Sequence, residues 1–290
     1  MNIGLNLYGP CSKQAMKEED LLIAIRALEI DYVEPCILLG GLTHNNPSFW
    51  TMMKFQHLYK LMKSIGLGVQ SIHVVTESIE KSVDEMITLT NEYGIKQFVV
   101  GMPNQLNETS LQERAKELSD AAEKLQSYGS RLLIHNNQPD TAVQINGVTA
   151  LERLVDLCDG KVGFQLDLGW CAAGGEDPIA FFTRNESRVE SLHFKDFVKP
   201  GVSDTDVPIG LGSIDTASAI KIAKKLGIPM LIDQDSYKDI RVDLNESRQF
   251  IISSIVIFSH SSVSIFPFFN CLFIFLPYLL KKINFALYVL

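Results

Sequence analysis

The sequence lacks two features that identify cofactor-binding proteins most easily, a glycine-rich phosphate loop and a closely spaced cysteine pair. Neither a GxGxxG nor a Walker sequence occurs, which disfavours a doubly wound nucleotide-binding sheet. The five cysteines are scattered and form no CxxC, a pattern typical of reduced thiols in the cytosol. No basic segment followed by a long apolar run opens the sequence, so we expect a cytoplasmic protein without a secretory signal.

An excess of basic residues is also missing. The chain has 26 Lys and Arg against 34 Asp and Glu, a formal net charge of −8. Binding to DNA or RNA depends mainly on Lys and Arg placed against phosphates. We therefore expect no nucleic-acid partner, whereas a small anionic substrate is still compatible with this charge.

Charge is nearly absent from the last part of the chain. In residues 251–290, 27 of 40 residues are hydrophobic, and the only charged ones are Lys281 and Lys282. Residues 251–280 are numerous enough to cross a bilayer, but two prolines and several serines interrupt them. The abrupt change favours a segment foreign to the fold, such as a translated frameshift. The alternatives are a membrane anchor, which would make the protein membrane-associated, and a buried extension.

Eight short apolar runs alternate with longer amphipathic stretches along the rest of the chain. Each run has the length of a strand buried on both faces, and strands separated by helices pair in parallel through right-handed crossovers. Eight such units match the size of a (β/α)8 TIM barrel. We predict a single α/β barrel domain over 1–250, followed by the hydrophobic C-terminal tail 251–290. The runs are 2–8, 32–38, 68–75, 97–102, 131–137, 162–168, 189–197 and 229–235.

Capping signals mark several of the intervening helices. Ser110 with Glu113, and Thr149 with Glu152, have the spacing of a capping box, in which two side chains satisfy free backbone donors of the first turn. Residues 243–251 resemble the beginning of a closing amphipathic helix. These signals predict helices that start near residues 110, 149 and 243.

Polar side chains stand at the ends of several predicted strands, where a purely structural strand would keep Val or Ile. Barrel enzymes carry their chemistry at the C-terminal strand ends, and a buried carboxylate needs a partner or a metal. An Asp, a His and an Asp on the last three strands therefore indicate a functional site. The polar residues are Glu34, His73, His135, Asn136, Asn137, Asp167, His193, Lys195, Asp196, Asp233, Gln234 and Asp235.

Several of these residues belong to longer recognisable stretches. GFQLDLGWCAAGGEDP (163–178) followed by SLHFKDF (191–197) is the most specific pair, while VPIGLGSID (207–215), LIDQD (231–235) and the weaker IHNNQPD (134–140) add to it. Together they resemble the sugar phosphate isomerase/epimerase family, whose fold is a xylose-isomerase-like TIM barrel. The resemblance covers roughly the first 248 residues.

The resemblance implies a divalent metal (Mn, Mg or Zn) at the mouth of the barrel and a small-molecule sugar or sugar phosphate as the partner. Asp167 and His193 match metal ligands of the family, and Asp233 stands where the family usually has a glutamate ligand. We assign proton transfer to Asp233 and His135. The residues assigned to substrate binding are Lys195, Trp170, Asn136, Glu34 and His73.

The sequence departs from the family pattern at two of the expected ligands. No glutamate follows the fifth strand in 134–140, and Asp233 is one methylene shorter than glutamate. A group that moves a proton is sensitive to a displacement of about 1 Å. Three hypotheses therefore stay open: a metal-dependent isomerase or epimerase acting at the carbon next to a carbonyl, a lyase that removes water from a keto-polyol, and a degenerate barrel that only binds a sugar. A homo-oligomer is compatible with each.

Overall fold

The computed structural model describes residues 3–12, 16–202 and 205–260, and the side chains of these residues up to 256. By its contacts the chain divides into a unit Met1–Ile255 and a remainder Val256–Leu290. Most of that remainder lies outside the described residues, and so does most of the tail for which the sequence predicts a frameshift or a membrane anchor.

The strands of the described residues confirm the predicted barrel. Strands fall in all eight apolar runs. Eleven of the fifteen described strands form one sheet that is parallel throughout, and the other four form two antiparallel pairs. The strands are β1 (Ile3–Asn6), β2 (Tyr32–Glu34), β3 (Cys36–Leu38), β4 (Phe49–Trp50), β5 (Gly68–Val69), β6 (Ile72–Val75), β7 (Gln97–Gly101), β8 (Arg131–His135), β9 (Gln144–Ile145), β10 (Val148–Thr149), β11 (Gly163–Asp167), β12 (Val189–Phe194), β13 (Asp196–Phe197), β14 (Asp206–Val207) and β15 (Met230–Ile232).

The sheet closes because the last strand pairs with the first. β15 pairs with β1, and β1 pairs with β2. The second and third strand positions are each split in two, so that β2 pairs with β5 and β3 pairs with β6. Pro35 interrupts the second position, since proline has no N–H for the ladder. Its carbonyl still accepts a hydrogen bond from the His73 N–H at 3.0 Å, which holds the two halves in one barrel wall.

Helices follow the strands around the barrel. They are α1 (Tyr8–Ser12), α2 (Glu18–Ala27), α3 (Met52–Ser64), α4 (Ile79–Tyr93), α5 (Glu108–Ser127), α6 (Gln138–Ala142), α7 (Ala150–Leu157), α8 (Leu168–Ala173), α9 (Pro178–Arg184), α10 (Thr216–Leu226) and α11 (Ile240–His260). In the described part of the chain, none of these helices combines the length and the apolar content needed to cross a membrane.

The capping signals were right in one case and wrong in the other. α7 begins with the expected box, in which Thr149 Oγ1 accepts from the Glu152 N–H and Glu152 Oε2 accepts from the Thr149 N–H. The N-cap of α5 is Asn107, three residues before the predicted Ser110, because the Asn107 side chain accepts from the Ser110 N–H at 3.0 Å. Asparagine is at least as good an N-cap as serine, so the earlier residue starts the helix.

The loop 207–215 is built around one buried carboxylate at the end of the seventh strand position. Asp196 accepts hydrogen bonds from the backbone N–H groups of Gly210, Gly212 and Ile214 at 2.9, 3.0 and 3.1 Å. A Cβ atom on Gly212 would lie 2.0 Å from Asp196 Oδ1. The glycine is therefore needed for the close approach of the backbone to the carboxylate.

The same loop packs against the last helix. The Ile209 N–H donates to Ser247 Oγ of α11 at 3.0 Å. Gly210 has a φ of +87°, and a Cβ there would lie 2.3 Å from the ring of Phe250. Ile251, the first residue of the predicted tail, is completely buried, so α11 contributes to the barrel core beyond residue 250.

We expect the substitution Asp196→Asn to lower the free energy of unfolding by about 3 kcal/mol, because an amide places N–H donors against backbone N–H donors and removes a charged acceptor. Urea denaturation of the full chain measures this. Asp177→Asn is the matched control, since Asp177 is exposed and caps α9, a position at which Asn caps equally well. A loss below about 0.5 kcal/mol in Asp196→Asn, the range of ordinary surface changes, would contradict this role.

Candidate active site

Four titratable side chains meet at the C-terminal ends of the last strands. Their possible ligand atoms all lie within 4.8 Å of one another, and all four residues are buried. Asp167 at the end of β11 is the direct cross-strand partner of His193 on β12, which explains why the two side chains meet. We call these residues the His–Asp group: His135, Asp167, His193 and Asp233.

Contacts within the His–Asp group centre on His193. Its Nδ1 lies 3.1 Å from His135 Nε2 and 3.2 Å from Asp233 Oδ2. His135 Nε2 lies 3.7 Å from Asp167 Oδ2. That carboxylate oxygen is buried and has no hydrogen-bond partner among the described residues. A buried carboxylate oxygen without a partner is costly, so this atom is suited to a ligand that carries positive charge.

Asp167 is held rigidly by its surroundings. Its Oδ1 accepts from the Trp170 N–H at 2.7 Å and caps α8. The Asn136 side chain bonds to both backbone groups of Asp167, accepting from its N–H at 2.8 Å and donating to its carbonyl at 3.1 Å. The sequence predicted that Asn136 binds substrate, but its side chain is fully buried and engaged in these two bonds. Asn136 thereby positions Asp167, and its assignment to substrate binding stays a prediction.

A layer of polar side chains lies inside the barrel next to the His–Asp group, where barrels usually carry branched apolar residues. At its centre Glu34 is 0% exposed. Its Oε1 accepts from His193 Nε2 at 2.9 Å and from Asn6 Nδ2 at 2.8 Å. Its Oε2 accepts from Gln165 Nε2 at 2.6 Å and from Ser71 Oγ.

Glu34 is not among the residues that line the cavity beside the His–Asp group, and its assignment to substrate binding stays a prediction. We call Asn6, Glu34, Ser71, Gln165 and Ser191 the polar layer. Sequence reasoning missed every member except Glu34. The signal that the sequence offered was polar residues inside the predicted strands. Gln165, for example, lies two residues before Asp167 and therefore on the same face of its strand.

Burial and neighbouring charges shift the protonation of the site in opposite directions. Burial opposes a charge on His193, but the carboxylates of Glu34 and Asp233 outweigh it and raise the pKa of His193 to about 10. Burial lowers the pKa of His135 well below its ordinary value, helped by the charge of His193. Burial also raises the pKa of Asp167 well above its ordinary value. Without a metal, His193 is therefore protonated at neutral pH, and Asp167 keeps its proton to a higher pH than an ordinary aspartate does.

Lys195 lies behind Asp233 rather than in the cavity. Its side chain is completely buried, with Nζ 2.7 Å from Asp235 Oδ2 and 3.4 Å from Asp233 Oδ2. The Nζ atom also lies 5.5 Å from the centre of the Trp170 ring. A Cβ on Gly169 would lie 2.8 Å from the Lys195 Cβ, so the glycine after Leu168 makes room for the lysine stem. Lys195 thus contacts two carboxylates, and its predicted contact with substrate stays a prediction.

A cavity of about 660 Å³ opens beside the His–Asp group, a volume in the range of small-molecule sites. Trp170 and His73, both predicted to bind substrate, line it. The His73 ring centre lies 5.1 Å from that of His135, in an edge-to-face arrangement. The residues that line the cavity are Asn6, Tyr8, Cys36, Phe49, His73, Val74, Val75, Thr76, Asn104, His135, Asn137, Trp170, His193, Asp233 and Asp235.

The donors of the His–Asp group suit a divalent metal. Two imidazoles and two carboxylates offer one ligand atom each, a mixed nitrogen and oxygen set that is acceptable to Mn and Zn. The Oδ2 atom of Asp167, which has no hydrogen-bond partner among the described residues, also favours a cation at this position.

These features define a class of protein, a parallel (β/α)8 barrel with a buried His–Asp group at the C-terminal mouth. The model of the xylose isomerase-like TIM barrel family matches residues 14–251. The chain belongs to this family.

Two curated proteins resemble part of the chain. The rhizopine catabolism protein MocC of Rhizobium meliloti is 29% identical over 103 residues, which are 36% of this chain and 30% of that protein. An inosose dehydratase of Lacticaseibacillus casei is 30% identical over 83 residues, 28% of this chain and 27% of that enzyme. The match thus spans less than a third of either relative.

Solved structures share the fold along most of the chain. A sugar phosphate isomerase/epimerase from Parabacteroides distasonis superposes with a TM-score of 0.69 at 18% identity, covering 86% of this chain and 92% of that one. A xylose isomerase-like barrel from Mycobacterium smegmatis, solved with magnesium, gives 0.64 at 15% identity, covering 88% and 96%. The IOLI protein with a bound zinc atom gives 0.61 at 13% identity, covering 91% and 100%.

We expect the affinity for zinc or manganese to rise with pH between about pH 6 and pH 8. The raised pKa of His193 means that the metal must displace a proton, and each proton released tightens binding about tenfold per pH unit. Competition with a chelator, or calorimetry in buffers of different ionisation enthalpy, measures the effect. Asp177→Asn should keep the same pH dependence, while Asp167→Asn should bind far more weakly. A pH-independent affinity would contradict the protonation state described above.

Proposed function

We propose that the protein is a metal-dependent isomerase or epimerase that acts on a sugar or sugar derivative by proton transfer at the carbon next to a carbonyl. The observation that carries the proposal is the buried His–Asp group, with its unpartnered Asp167 Oδ2, at the wall of a cavity large enough for a sugar. Membership of the family supports it, because similar barrels include a sugar phosphate isomerase/epimerase.

In this proposal Asp167, His193 and Asp233 hold the metal, as the sequence predicted, and His135 joins them. A bound divalent metal would polarise the substrate carbonyl and make the adjacent C–H more acidic. His135 is neutral because burial lowers its pKa, which leaves a lone pair for the metal or for a substrate hydroxyl. His135 stands at the end of the fifth strand position, at or just after which the family usually has a glutamate. In this proposal its imidazole takes the place of the missing carboxylate.

Asp233 is the residue that we assign to move the proton. It lines the cavity, and its Oδ2 is fixed from behind by Lys195 at 3.4 Å and by His193 at 3.2 Å. Burial opposes ionisation, but the cations of Lys195 and His193 lower the pKa of Asp233 below its ordinary value. The carboxylate is therefore ionised, which is the state required of a group that accepts a proton from carbon and returns it to the neighbouring carbon through an enediol-like intermediate.

The rest of the cavity suits a polyhydroxylated substrate. Trp170, Tyr8 and Phe49 offer aromatic surfaces for the C–H faces of a sugar, and Tyr8 and Phe49 lie together with ring centres 5.9 Å apart. Asn104 and Asn137 add amides that can both donate to and accept from hydroxyl groups. Apolar faces with a few polar groups that fix orientation are characteristic of small-molecule sites.

Loss of water from a keto-polyol is the second candidate function. The partial match to an inosose dehydratase favours it, and dehydration would need the same metal-holding residues and the same base beside an acidic C–H. The two reactions differ in what leaves the neighbouring carbon, so they are separated by their products.

We expect the manganese-loaded protein to exchange deuterium from solvent into the C–H next to the carbonyl of at least one ketose in a panel. Asp233→Asn should reduce the exchange at least about 100-fold, the usual contribution of a positioned acid or base, while Asp177→Asn should leave it unchanged. NMR and mass spectrometry of the products measure exchange, isomerisation and loss of water. A product lighter by one water identifies the dehydratase. Saturable sugar binding without exchange or water loss would contradict both reactions and indicate a barrel that only binds.

A further inference from the structure

We propose that Glu34 is a positioning residue that fixes the tautomer of His193. It holds the proton on Nε2, so that Nδ1 is the nitrogen offered to the metal. The proposal rests on the metal-dependent function proposed above and adds a residue that does not reach the cavity.

The first argument is the direction of the His193 ring. Its two nitrogens face different surroundings, with Nε2 2.9 Å from Glu34 Oε1 inside the barrel and Nδ1 facing His135 and Asp233 in the His–Asp group. An imidazole that binds a metal through one nitrogen donates the N–H of the other to an acceptor, and a carboxylate is a common choice. Glu34 is placed to be that acceptor.

The second argument is that Glu34 itself is held by a complete set of donors. Asn6 Nδ2 lies 2.8 Å from Oε1 and Gln165 Nε2 lies 2.6 Å from Oε2, while Ser71 donates to Oε2 as well. A carboxylate has no N–H or O–H to offer when ionised. With donors on both oxygens it can only accept, so the hydrogen between Glu34 and His193 belongs to Nε2.

The third argument is the position of these groups in the fold. The groups that meet here belong to different strand positions, Asn6 to the first, Glu34 to the second and Gln165 to the sixth. They therefore reach the barrel interior from different sides. Rigid strands therefore fix the carboxylate to the barrel wall. An error in the His193 ring angle would displace Nδ1 from His135 and Asp233. Loss of the acceptor that orients a metal-bound histidine typically costs 10- to 100-fold in metal affinity.

The first test uses the unmodified chain. Protein with ¹⁵N-labelled histidine is loaded with zinc alone, and the signals of His193 are identified by their absence in His193→Gln. Two-bond ¹H–¹⁵N spectra then show which nitrogen carries the proton. We expect a protonated Nε2 and a zinc-bound Nδ1. A protonated Nδ1 with Nε2 as the ligand would overturn the inference while the metal-dependent function stands. Failure of the unmodified chain to bind zinc, manganese or magnesium would overturn both.

The second test compares Glu34→Gln with Glu152→Gln as a matched control. Both remove a buried carboxylate that accepts several hydrogen bonds, but Glu152 caps α7 and pairs with Arg184 rather than with His193. We expect Glu34→Gln to weaken zinc binding about 10- to 100-fold, and Glu152→Gln to change it less than about twofold. Equal zinc affinity of Glu34→Gln and the unmodified protein would overturn the positioning role. Should Glu34→Gln fail to fold, the tautomer measured in the unmodified chain decides the question.

Discussion

The structure depends on one constraint, an ionised carboxylate in the interior of a closed barrel. A charge taken out of water is tolerated only with partners that replace its hydration, and Glu34 has His193, Asn6, Gln165 and Ser71 around it. Burial alone would raise the pKa of Glu34, but His193 and its other partners lower it well below its ordinary value. The strands that carry these partners are thereby fixed in register by polar contacts as well as by their ladders. The same contacts orient His193, around which the His–Asp group assembles.

Much of the fold could be predicted from the sequence because its physics is local. Strands buried on both faces appear as continuous apolar runs, and the helices between them require parallel pairing, so eight runs were sufficient for the barrel. Pro35 divided the second strand position, which the apolar run through Tyr32 and Leu38 did not show. The N-cap of α5 at Asn107 was missed because Asn107 and Ser110 are both good N-caps and lie three residues apart. In both cases two local preferences competed, and the surrounding packing decided between them.

The candidate site was predictable to the extent that strand ends meet at one rim. Asp167, His193 and Asp233 come together because they end neighbouring strands, and that follows from the order of strands alone. Which side chains face the cavity does not follow from it. Glu34, Asn136 and Lys195 share the polar character of the others, yet each is buried against another site residue. The depth of a side chain in the barrel depends on the stagger of the strands, which cannot be read from a sequence pattern.

The packing of the loop 207–215 on α11 joins the C-terminal part of the barrel to its mouth. Ser247 and Phe250 support Ile209 and Gly210, and the same loop surrounds the carboxylate of Asp196, the residue next to Lys195. The final helix therefore supports the loop 207–215 as well as covering the barrel wall. Insertions, fusions or alternative sequences that disturb residues 247–251 would act on this loop and on Asp196, and through the neighbouring Lys195 on Asp233 and Asp235 at the cavity. The C-terminal end of the described barrel is in this way coupled to the cavity.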